Sequence, residues 1–152
     1  MITEDIKVKK RNGRGEETLD LNKIHVMVEE ACKGLSGVSA SQVEIQSQLS
    51  LYDGITTADI QETLIRSASD LISLEHPNYQ YVAARLLLFA LRKSIYHKMY
   101  ECWGFEKQIL SCVERKVYDP AILTYYTSEE ITELGEYIDH DRDLKFTYAG
   151  LR

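Results

Sequence analysis

A chain of 152 residues has room for one domain, or for a small domain with a trailing piece of a second, and 44% hydrophobic content supplies a core. The formal net charge of −6 excludes duplex nucleic acid as the main partner, because that binding is driven by a basic face. No apolar run approaches the roughly 20 residues of a membrane span, and the N-terminus lacks the basic-then-apolar order of a secretory signal. The three cysteines, Cys32, Cys102 and Cys112, form no CxxC pair and read as reduced packing thiols. A soluble, cytoplasmic protein that meets neither nucleic acid nor membrane is therefore expected.

In chain order, Ile6-Lys7-Val8-Lys9 alternates apolar and basic residues, the period of a half-buried strand. Asn12-Gly13 and Gly15 can supply positive φ for a hairpin turn, and Glu17-Thr18-Leu19-Asp20-Leu21 reads as the return strand, its acids near the bases of the first. Asn22 is placed to cap a first helix that buries Ile24, Met27, Val28, Ala31 and Leu35, with Gly34 as its stop. Ser39 and Gln42 have capping-box spacing for a second helix marked by Val43, Gln46 and Leu49. Asp53-Gly54 signals a turn, and Thr56-Thr57 with Asp59 opens a third helix carrying Ile60, Leu64, Ala68 and Leu71. Pro77 suits the first position of a fourth and longest helix, with Val82, Ala83, Leu86, Phe89, Ala90 and Lys93 on one face. Beyond Tyr100 shorter helical patterns follow, around residues 105–113 and 128–138, and the final run 146–152 reads as an element cut short. The expected class is α+β and mostly α. A short β-hairpin packs on four helices over residues 1–98, and a helical segment occupies 99–152.

Charge is unevenly spread. Residues 1–23 hold six bases against five acids, whereas 119–143 hold eight acids and one base, Arg142. A local basic patch on an acidic protein suits a small polyanion. Lys9-Lys10-Arg11 is either a solvated hairpin tip or a phosphate-coordinating group, with Arg as a bidentate fork and Lys as a point charge. Lys23, in the first turn of the first helix, and Lys93, late in the fourth, are ordinary surface cations or further members of the same anion site. No GxxxxGK[ST] or GxGxxG loop is present, so any nucleotide is gripped by cations and a helix terminus. Asp139-His140-Asp141-Arg142-Asp143 is the one dense run of ligand-type residues. Its acids and bases can pair with one another as well as bind metal, and no metal site is assigned. The ten tyrosines, Tyr79 and Tyr81 among them, read as amphipathic packing with hydroxyls at the surface. No nucleophile-and-base arrangement stands out, and no catalytic residue is assigned.

Four runs in order carry a family resemblance: 8–13 (Val-Lys-Lys-Arg-Asn-Gly), 21–24 (Leu-Asn-Lys-Ile), 52–60 (Tyr-Asp-Gly-Ile-Thr-Thr-Ala-Asp-Ile) and 79–86 (Tyr-Gln-Tyr-Val-Ala-Ala-Arg-Leu). Together they resemble the ATP-cone domain that opens the large subunit of class I, aerobic ribonucleotide reductase. The later runs 118–120 and 138–148 are similar to the helical segment following the cone, so residues 99–152 are expected to begin the catalytic domain. The resemblance implies an allosteric regulator that binds ATP or dATP, with Mg2+, and sets activity by changing how large and small subunits assemble. The implied partners are the catalytic remainder of the large subunit, the radical-generating small subunit and further copies of the large one. It further implies that Lys10 and Arg11 meet phosphate, joined by Lys23, Thr57 and Lys93. Glu17 and Asp20 would read the adenine edge, and Val8, Leu19, Ile24 and Phe89 would wall the base and sugar.

The chain departs from the family pattern at three places. The turn at 12–16 is one residue longer, Asp20 stands where Asn is common, and Gln61 stands where dATP-inhibited members carry a ribose-contacting His. The last departure removes a basis for dATP inhibition and resembles viral members. The family's radical cysteines lie in a downstream barrel, and Cys32, Cys102 and Cys112 do not match them. A transcriptional repressor sensing nucleotide through a cone is the alternative, but it needs CxxC pairs ahead of the cone. A scaffold whose cone has lost nucleotide is a third reading.

Overall fold

The computed structural model describes residues 6–10, 13 and 15–152; Arg11, Asn12 and Arg14 lie outside the described residues. The mostly helical α+β class expected from the sequence is found. Strands β1 (Lys7–Lys9) and β2 (Glu16–Thr18) form an antiparallel hairpin in the register Lys7↔Thr18, Val8↔Glu17, Lys9↔Glu16. Gly13 and Gly15 both adopt positive φ in the turn, 66° and 101°, as its geometry demands. Val8 is buried between exposed Lys7 and Lys9, the half-buried alternation of the sequence. β2 stops at Thr18, short of the expected Leu21, because the chain turns outward to start a helix.

The helices α1 (Leu21–Cys32), α2 (Ala40–Gln48), α3 (Thr57–Asp70) and α4 (Tyr79–Tyr96) pack around one core. Val28, Leu64, Val82 and Leu86 are wholly buried there, each contributing about 1.5–3 kcal/mol of transfer free energy. Thr56 caps α3 by accepting the Asp59 amide at 3.0 Å, as its sequence signal indicated. At α1 the cap is Asp20, not Asn22: the Asp20 carboxylate accepts the Asn22 amide at 3.0 Å, and the helix starts two residues earlier than expected. No capping box forms at α2. Tyr79 is 2% exposed, and its hydroxyl accepts the Ser39 amide at 3.0 Å and donates to Gln42 Oε1 at 2.8 Å. The phenol thus caps α2 and occupies the Gln42 side chain, so Tyr79 is a buried polar strut and not a surface tyrosine. The inner face of α2 is Val43 and Ser47, while Leu49 is 84% exposed. α4 begins two residues after Pro77, with Asn78 at its cap position. Further along, the Arg85 guanidinium donates to the Ala31 carbonyl at 3.1 Å and the Lys33 carbonyl at 2.7 Å, covering otherwise open acceptors at the end of α1.

After α4 come α5 (Phe105–Glu114), α6 (Ile122–Tyr125), α7 (Ser128–Glu136), a 3-10 helix (His140–Lys145) and α8 (Tyr148–Leu151). α7 opens with a full capping box between Thr127 and Glu130. Both the 3-10 helix and α8 return to α4. Tyr148 packs against the core of the first four helices, and Arg152 grips the Glu62 carboxylate on α3 at 2.7 and 3.3 Å. Asp143 pairs with Arg92 of α4 at 3.0 Å, so the base meeting this acidic run comes from α4 and not from Arg142. No helix among the described residues is long and apolar enough to cross a membrane.

Two predictions test this packing. A Cβ at Gly135 would lie 2.7 Å from Phe105 Cβ, where α7 crosses α5. Gly135→Ala, ordinarily stabilising in a helix, is expected to cost about 1–3 kcal/mol by overpacking, read by urea unfolding. His25 of α1 sits between Glu44 of α2 (2.8 Å) and Glu29 (3.3 Å); the Glu44 hydrogen bond, then the Glu29 charge, raises its pKa above 6.5. Folding therefore favours the protonated ring, and its contribution is complete below 6.5 and fades as pH rises through the higher folded value. The melting-temperature advantage of wild type over His25→Asn should shrink across that rise, with a ring titration midpoint above 6.5 by NMR.

Candidate functional site

The hairpin cannot stand alone at three residues a strand, and its second edge explains where the site forms. Lys7 O accepts the Gly54 amide at 2.8 Å, Lys9 N donates to Ile55 O at 3.0 Å, and Lys7 N donates to Asp53 Oδ1 at 2.8 Å. Gly54 makes this approach with φ of 81°. β1 is thus zipped on one side to β2 and on the other to the turn leading into α3. That pairing aims the N-termini of α1 and α3 at a common space, with the end of α4 closing it.

The space is a cavity of about 490 Å³, within the range of small-molecule sites, roughly 300–1,000 Å³. Nine residues singled out in the sequence line it: Val8, Glu17, Leu19, Asp20, Lys23, Ile24, Thr57, Gln61 and Lys93. Lys10 stands beside them through its ammonium, 2.8 Å from Glu17, and Arg11 lies outside the described residues. Phe89 does not reach the cavity. It is 3% exposed and lies one layer behind, its ring edge-on to Tyr100 at 5.1 Å; Tyr100 is the aromatic that faces the space. Met99 joins Tyr100 in that wall, and Met27 and Ile60 extend the apolar floor. Ile60 and Met27 were readable as core positions. Tyr100 had no local signal, since its place depends on how the chain leaves α4.

Cations and acids at the mouth are already matched. Lys10 holds Glu17 at 2.8 Å, and Lys23 approaches Glu17 at 3.9 Å and Asp20 at 4.0 Å. The Lys10 hydrogen bond draws the Glu17 carboxyl below its ordinary 4.5. Two helix N-termini add partial positive charge, α1 at Lys23 and α3 at Thr57. Gln61 is 5% exposed and donates through Nε2 to the Leu86 carbonyl at 2.9 Å, so one side of its amide is committed to α4. The whole is a binding chemistry, with an apolar floor for a ring, polar edges for hydrogen bonds, and cations with helix ends for a polyanion. Among the described residues the lining offers no Ser, Cys or His.

Helices closed by a hairpin over such a cavity make a ligand-binding class of domain, with room for an apolar ring and a polyanionic end. Residues 6–94 match the ATP cone domain family, to which the chain belongs. It is 44% identical over 151 residues to the ribonucleoside-diphosphate reductase 1 subunit alpha of Escherichia coli (strain K12), covering 99% of this chain and 20% of that one. The corresponding subunit alpha of Haemophilus influenzae is 42% identical over 151 residues, with 99% and 20% covered. That of Enterobacteria phage T4 is 47% identical over 116 residues, with 75% and 15% covered. The chain thus spans about a fifth of the length of the bacterial relatives.

Because Gln61 ties α3 to α4 inside the core, Gln61→Ala should lower stability by about 1 kcal/mol in chemical denaturation. A variant as stable as wild type would show that the Leu86 contact contributes nothing.

Proposed function

We propose that this chain is the allosteric ATP- or dATP-binding region of a ribonucleoside-diphosphate reductase large subunit. In this reading residues 1–98 form the regulatory cone, and 99–152 begin the catalytic domain. The observation that carries it is the convergence of Glu17, Asp20, Lys23, Thr57, Gln61 and Lys93 on one cavity inside the region matched by the ATP cone family. Volume and lining of the cavity fit the ligand. Val8, Leu19 and Ile24 give an apolar bed for base and sugar, with Tyr100 in the place expected for Phe89. Glu17 and Asp20 present acceptors to the exocyclic amine of adenine. Lys10, Arg11, Lys23 and Lys93, with Thr57 at the start of α3, take the triphosphate. Mg2+ arrives on the phosphates, which with water supply most of its ligands, so no protein cage is required.

Binding of a triphosphate would draw Lys10 and Lys23 off Glu17 and toward phosphate, freeing that carboxylate for the base. Regulation follows if the large subunit has two assembly states of different nucleotide affinity, since the coupling is reciprocal between nucleotide and partner. Those partners are the catalytic remainder, the small radical-generating subunit and further copies of the large subunit, in the cytoplasm. With Gln61 held by α4 in place of a ribose-contacting His, ATP and dATP are expected to bind with similar affinity.

Calorimetric titration of ATP, dATP and GTP with magnesium tests the reading. Adenine nucleotides should bind in preference to GTP, and Lys10→Ala/Arg11→Ala should weaken them at least about tenfold through lost charge-assisted contacts. No heat with any nucleotide from a folded chain would overturn it.

A further inference from the structure

On the flank of α4 away from the cavity, three side chains of different ligand chemistry converge. Cys102 follows α4 in a loop, whereas His140 and Asp143 sit one turn apart on the 3-10 helix. One ligand atom from each lies within 4.8 Å of the other two. His140 Nδ1 and Asp143 Oδ2 are 3.4 Å apart, long for a hydrogen bond but close to the ~3.3 Å that separates two tetrahedral ligands bound to zinc at ~2.0–2.1 Å. Cys102 and His140 also line a cavity of about 250 Å³, which leaves room for a fourth, water ligand.

We propose that Cys102, His140 and Asp143 form a binding site for a divalent transition-metal ion of the zinc class. The ligand set selects the ion. Thiolate with imidazole suits Zn2+, while Mg2+ and Ca2+ prefer oxygen alone. With all three ligand atoms within 4.8 Å of one another and about 3.6 Å expected between sulfur and nitrogen on one tetrahedral zinc, the cluster closes with at most about an ångström of movement at Cys102, and the thiol proton leaves to solvent as the metal–sulfur bond forms.

Arg92 supplies the support a ligating carboxylate needs. It is 8% exposed, and its guanidinium donates to Asp143 Oδ2 at 3.0 Å and to the His140 carbonyl at 3.4 Å. Its Nε is buried without a partner among the described residues, a donor left over beside the cluster. Arg92 is therefore a positioning residue, fixing the 3-10 helix against α4. A bound ion would complete that attachment by tying the helix to the loop at Cys102, one helix face away from Lys93 in the nucleotide cavity.

Cobalt substitution provides the test. Co2+ titrated into the reduced 152-residue chain should give a sulfur-to-cobalt charge-transfer band in the near ultraviolet, discharged by Zn2+. Cys102→Ser should abolish the band and His140→Ala should weaken Co2+ affinity at least about tenfold, whereas Cys32→Ser should keep both. Absence of the band in the wild-type chain overturns the proposal, as does its persistence in Cys102→Ser, which would place the metal on another thiol. Should Cys102→Ser fail to fold, a band kept in Cys32→Ser and Cys112→Ser but weakened in His140→Ala assigns the same site, and a band lost in either of those thiol variants overturns it.

Discussion

Everything at the cavity end depends on β1 being bonded along both edges. Three residues with two backbone partners hold together what no local propensity would: a hairpin too short to persist, and a turn that must deliver α3 at a fixed angle. Val8 then plugs the core from the strand side, and the bonds from Lys7 and Lys9 to Gly54 and Ile55 fix the start of α3. The cavity is the space left between these constrained parts. Its walls come from the hairpin, α1, α3 and α4, so no single element contains the site.

The electrostatics of that space are those of a lock already holding internal counter-ions. Lys10 and Lys23 rest on Glu17 and Asp20. Solvent-exposed pairs of this kind contribute little to stability. Their use lies in keeping acids and bases in place without mutual repulsion. The proposed triphosphate would exchange one set of partners for another, a smaller change than desolvating bare cations would be.

The sequence made the elements legible wherever local chemistry decides them. The alternation at Ile6–Lys9, the Thr56 hydroxyl before Asp59, and the 3.6-residue stripes of α1, α3 and α4 each reflect a short-range rule. Errors arose where a distant side chain took over a local task. Gln42 has the right spacing for a capping box, but the Tyr79 hydroxyl, brought in by α4, claims both ends of that interaction. Asn22 and Asp20 are both good caps, and the carboxylate prevails because β2 ends two residues before it. At the site, charged and polar positions were read from type and placement along the helices, and the family resemblance supplied Glu17, Asp20 and Gln61. The exchange of Phe89 for Tyr100 in the wall could not be read, since it turns on how the chain leaves α4 past His97, itself in the left-handed conformation.

Arg85 gives the first helix an unequal mounting. Its two bonds to carbonyls at the end of α1 clamp that end to α4, while the opposite end carries Asp20 and Lys23 into the cavity mouth. Twelve residues of helix make a rod of about 18 Å, pivoted at the guanidinium. On that arm a tilt of about 3° carries the tip by about 1 Å, comparable to the gap between a loose ion pair and a tight one. Small rotations at a half-buried arginine and the fit of a ligand at the far end are thereby two readings of one angle.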